Sequence, residues 1–210
     1  MATQIEFFVS GGNILNQSEF NSGNGSCGPT ILSSALMWHN NQRSPIAKTV
    51  VSQMQAWGLC GPTGVTNTPK LIQAARNYKV PVSLNVPNRG VIHFAVDTLT
   101  GTNGRKQGVC VLENANGQAL RDYLSNTGED AQNLQFHFIG FVGYNAGGYS
   151  NYLGCQVPQG FFAVDGASTI ENPIPAGAGR VHPFINTQLC YYPLSVIAAA
   201  KPYDIFAVTR

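Results

Sequence analysis

Apolar residues recur at three- and four-residue intervals through the first half of the chain and gather into short continuous runs in the second. From Cys27 onward Ile31, Leu32, Ala35, Leu36 and Trp38 fall at helical spacing, and Pro29 suits the first turn of that helix. The same period predicts helices over Ala47 to Trp57, stopping at Gly58, and from Thr68-Pro69 to about Tyr78, with Leu71, Ile72, Ala75 and Tyr78 on one face. Val91 to Leu99 reads as a fourth helix and Leu194 to Ala200 as the last. Strands are predicted where apolar runs are bounded by turn residues: Ile5, Phe7, Phe8 and Val9 before Gly11-Gly12, then Gly108 to Leu112, Phe136 to Tyr144, Gly160 to Val164 and Ile205 to Val208. Val80 to Val86 reads as extended. Helices first and strands after are the mark of an α+β domain with segregated layers, the strands forming a buried antiparallel sheet.

Length and composition narrow the class. The 210 residues are 43% hydrophobic and 10% aromatic, enough for one sizeable core, and one domain over 1–210 is expected. Only 10% of residues are charged, and 12 basic against 10 acidic side chains leave +2. That balance supplies no field to gather nucleic acid or an anionic membrane. Asn, Gln, Ser, Thr and Gly must carry solubility instead, a composition that suits released or virion-associated proteins. The start, Met1-Ala2-Thr3-Gln4-Ile5-Glu6, has neither a basic n-region nor a long apolar run. No signal peptide and no membrane span are expected, which makes the cytoplasm the place of synthesis.

Five scattered cysteines, Cys27, Cys60, Cys110, Cys155 and Cys190, are an odd set with no paired zinc-type spacing, and the four histidines are far apart. Neither a disulfide framework nor a metal site is expected, and no cofactor is implied. The question becomes which thiol is reactive. A nucleophilic cysteine must be a thiolate near neutral pH, and a helix N-terminus supplies part of that stabilisation. Cys27 stands where a glycine-rich loop turns into an apolar helix. Cys60 repeats its tetrapeptide, Cys60-Gly61-Pro62-Thr63 against Cys27-Gly28-Pro29-Thr30, but lies between helices. Cys110 reads as core, Cys155 as part of a long glycine-rich loop, and Cys190 as a neighbour of Tyr191-Tyr192.

A reactive thiolate also needs a base. His39 lies about 18 Å along the helix from Cys27. His93 with Asp97 reads better as a partly exposed structural pair, and His182 remains open in its loop. His137 is favoured, because it begins the apolar run Phe138 to Tyr144, which would hold the ring rigidly at a sheet edge. Asp165 follows Phe161-Phe162-Ala163-Val164 and would reach the second imidazole nitrogen if the two strands pair. The alternative is a turn residue, which is what Asp-Gly usually means.

The segments Ser26-Cys27-Gly28-Pro29-Thr30, Phe136 to Tyr144 and Phe162-Ala163-Val164-Asp165, in this order, resemble the papain-like cysteine peptidases of the bacteriocin-processing (double-glycine) type. The nearest likeness is to their stand-alone bacterial and phage relatives. Gly61 to Thr66 is similar to the family's cleft loop, so the resemblance spans most of residues 14–170. It implies a papain-like fold and a peptidase or amidase, with Cys27 as nucleophile, His137 as general base and acid, and Asp165 as orienting residue. The family's oxyanion-donating glutamine is matched by Gln17, although Asn21 stands at the usual spacing. The implied substrate is a peptide or isopeptide, a peptidoglycan stem peptide among the candidates. Two rival readings are a transpeptidase using an amine in place of water, and a non-catalytic binding module on the same fold.

Overall fold

The computed structural model describes residues 6–9, 27–42, 44–86, 89–124, 136–165 and 189–210. Its elements in chain order are β1 (Glu6–Phe8), α1 (Cys27–Asn40), α2 (Ala47–Ala56), α3 (Thr68–Asn77), β2 (Val82–Leu84), α4 (Val91–Thr100), β3 (Gly108–Asn114), α5 (Gly117–Leu124), β4 (His137–Asn145), β5 (Gly148–Ser150), β6 (Cys155–Val157), β7 (Gly160–Val164), β8 (Leu189–Pro193), α6 (Leu194–Ala199) and β9 (Pro202–Thr209). The α+β class follows, with every strand pairing antiparallel. Seven strands form one sheet in the order β2-β9-β3-β4-β7-β8, and β1 pairs with the far end of β4; β5 and β6 make a separate hairpin.

Both faces of the sheet centre are covered, and β3 and β4 are buried along their whole length. That explains why they read as unbroken apolar runs and not as alternating strands. Helix α1 crosses one face. A Cβ on Gly140 would stand 2.8 Å from Ile31 Cγ2, so α1 lies on the β4 backbone at a closeness that only glycine permits. The other face belongs to α4: Cys110, paired in register with Phe141, lies beside Thr98 of that helix. Buried continuously from Gly28 to Trp38, α1 has no solvent face. A helix buried all round is a core helix, and one of its buried polar residues, Ser33, donates to Pro45 O at 2.7 Å.

Several expectations need correction. The strand carrying His137 is interior, flanked by β3 and β7, not a sheet edge. Cys155 belongs to β6 and not to a loop. The α5 helix, the β5–β6 hairpin and β8 come from segments whose patterns are too short to show a period. Asp97 does not pair with His93, which is exposed; it forms an ion pair with Arg89 and accepts from Asn103 Nδ2 at 2.8 Å. Among the described residues no helix is long and apolar enough to cross a membrane.

Candidate active site

The residues singled out in the sequence converge through two close contacts of the backbone. At the start of α1, a Cβ on Gly28 would lie 2.9 Å from Thr66 Cγ2, 3.1 Å from Leu71 Cδ1 and 3.2 Å from Phe138 Cδ2. The helix N-terminus is thereby wedged between the 61–66 loop, α3 and the beginning of β4. Together with the Gly140–Ile31 contact one turn further along, this fixes Cys27 against His137.

Pairing of β4 with β7 brings in the third group. The register Gly140↔Val164 continues to set Asp165 diagonally beside His137. His137 Nε2 and Asp165 Oδ1 are 2.7 Å apart, with both side chains almost fully buried. That nitrogen being taken, Nδ1 is the one left for Cys27, whose side chain is hydrogen-bonded to His137. Asn114, directly opposite in β3, donates from Nδ2 to His137 O at 3.1 Å and secures the strand at the same point.

The electrostatics follow from this geometry. Burial alone pushes the Cys27 thiol up. The hydrogen bond and charge of His137, with the Phe138 and Gly28 N–H groups, more than offset it and leave the thiol below its ordinary value. For His137, burial pushes down, but the Asp165 charge and hydrogen bond, supported by Cys27, leave the imidazole raised. Both shifts favour a thiolate–imidazolium pair. The contrast with other thiols is sharp: burial raises Cys60 and pushes Cys110 up to about 12.

Beside His137, Phe136 and Tyr203 are exposed and meet edge-on at 6.3 Å between centroids. Tyr203 is bonded to Glu113, a buried carboxylate that also accepts from Thr68 N and Oγ1 at 3.1 and 2.5 Å. His39 lies at the other end of α1, where Nδ1 donates to Thr209 O at 2.8 Å. Gln17, Asn21 and His182 lie outside the described residues. Among the described residues no cluster of three His, Cys, Asp or Glu side chains could hold a metal ion.

Sequence reasoning missed Tyr192. It is fully buried on β8, and its hydroxyl donates to Asp165 Oδ2 at 2.5 Å. The signal available was the apolar run Leu189 to Pro193, which pairs with β7. Compared with known proteins, the chain matches no family model and no curated sequence.

Proposed function

We propose that this protein is a papain-like cysteine peptidase or amidase, acting through Cys27, His137 and Asp165. The observation that carries the reading is the line of a half-buried Cys27 thiol, a buried imidazole and a buried carboxylate, with Cys27 lowered and His137 raised. A core cysteine needs none of these partners. Here the thiolate attacks an amide carbonyl, forming a carbon–sulfur bond and a tetrahedral oxyanion. The Cys27 N–H at the start of α1 is the backbone donor to this charge, and the side-chain amide of Gln17 or Asn21 is the proposed second donor. His137 gives its proton to the leaving nitrogen as the C–N bond breaks, which leaves a thioester and a neutral imidazole. The imidazole then takes a proton from water, the hydroxide oxygen adds to the thioester, and the Cys27 thiolate leaves. Asp165 holds one ring tautomer throughout and steadies the imidazolium.

Peptides and isopeptides are the substrate class, and the exposed pair Phe136–Tyr203 offers apolar surface beside the scissile bond. The test is hydrolysis of three pools: linear peptides, isopeptides and peptidoglycan stem peptides. Cleavage by the wild type and none by Cys27→Ala, with unchanged circular dichroism, is expected. Cleavage surviving in Cys27→Ala, or none by the wild type with any pool, would remove the reading. An added amine that captures the acyl group in preference to water would convert it to a transferase.

A further inference from the structure

We propose that Tyr192 is a positioning residue of this site, whose hydroxyl keeps Asp165 ionised and aimed at His137 and so sets the acid limit of Cys27 reactivity. The inference rests on the reading of Cys27 as the reacting thiol and extends the line of groups by one member. Asp165 is 1% exposed, so neither carboxylate oxygen can rely on bulk water. One oxygen receives His137 and the other receives Tyr192. Each hydrogen bond to a buried carboxylate favours its charged form, so losing the Tyr192 donor shifts Asp165 toward taking up a proton. A protonated Asp165 would no longer balance the imidazolium, and the thiolate beside it would lose its partner.

The position of Tyr192 is itself built. Phe161↔Tyr192 and Ala163↔Cys190 are register pairs, so Tyr192 shares a sheet face with Phe161, Ala163 and Asp165. Tyr123 of α5 packs against its ring at 5.8 Å between centroids, which limits where the hydroxyl can go. Among the described residues, His137 from β4 and Tyr192 from β8 are the titratable groups that bond to the carboxylate. Those around the hydroxyl are Asp165 from β7 and Cys190 on its own strand, with Tyr123 against the ring. His137 is the only one of them that carries positive charge. Burial and the adjacent Asp165 charge drive the Tyr192 hydroxyl far above its ordinary value, so it remains a donor throughout the working range.

The test is the pH profile of Cys27 alkylation by iodoacetamide in the full chain, followed by mass spectrometry, for wild type and Tyr192→Phe. The variant keeps the ring and loses the donor. Its rate at pH 8 should remain within about twofold of wild type. Its acid limb should move up by about one pH unit, so that alkylation at pH 5 falls about tenfold. An unmoved limb, or one moved down, overturns the proposal. In Asp165→Asn, adding Tyr192→Phe should change nothing further; an independent second loss would make Tyr192 a packing residue only. Should Tyr192→Phe not fold, the wild type carries the test. The Tyr192 hydroxyl proton should resonate far downfield and move when Cys27 is alkylated, and a signal that ignores the alkylation overturns the proposal. Failure of wild-type Cys27 to outpace the other cysteines would show that the underlying thiol reading is at fault.

Discussion

Burial raises the thiols of Cys60 and Cys110, while Cys27, also recessed, is lowered because an imidazole and two backbone N–H groups face its sulfur. The difference gives the first residue-scale prediction. A free thiol loses its thiolate as pH drops below about 8.5, whereas a lowered one keeps it to more acid pH. At pH 6 Cys27 should therefore alkylate far faster than Cys60, Cys110, Cys155 or Cys190, and equal labelling would sink the assignment. Asp165→Asn should leave the protein folded and Cys27 still labelled, with turnover reduced by orders of magnitude, because the ring tautomer is no longer imposed. A residue that only formed a turn would tolerate Asn almost silently, so kinetics with circular dichroism separates the two. At this scale the sequence made Cys27 legible through its helix start. The closeness of His137 and Asp165 was legible through the expected pairing of their strands. Tyr192 was not, since nothing local marks which tyrosine of Tyr191-Tyr192 turns toward a carboxylate 27 residues away.

Elements with a full period were readable: α1 to α4 and the runs that became β3, β4, β7 and β9. The β5–β6 hairpin has three-residue strands, too short for any alternation to register. The environment of β4 was also misjudged, because a continuous apolar run says that a strand is buried but not how many neighbours it has. How α1 docks on β4 depends on Gly140, whose missing Cβ admits Ile31. Gly140→Ala should lift the helix from the strand, cost about 1–3 kcal/mol by overpacking, and weaken the Cys27–His137 pair. Urea denaturation should show the lost stability, and alkylation at pH 6 the lost reactivity. Adding Ile31→Ala, which removes the clashing Cγ2, should restore reactivity even though it opens a cavity elsewhere in the core. If reactivity stays low in the double variant, the contact does not set the site.

On the scale of the whole molecule, the three groups come from α1, β4 and the end of β7, and they meet only when the sheet is assembled. Its order is not the order of the chain: β9, the last strand, lies between β2 and β3. Beyond it Arg210 stacks over Trp38, 4.6 Å from the ring centroid, and bonds to Trp38 O at the C-terminal end of α1. The last residues of the chain therefore brace the helix that carries the first residue of the site. Sequence order alone hid this, because nothing in the run Ile205 to Val208 names its neighbours. A thiol whose low pKa requires all these elements should lose its reactivity when the global fold is lost, and not before. In a urea titration at pH 6, the fall in Cys27 alkylation should coincide with the loss of far-ultraviolet circular dichroism. An earlier fall at intact secondary structure would mean that α1 separates from the sheet as a unit of its own. The site would then be held by that docking alone, and not by the fold as a whole.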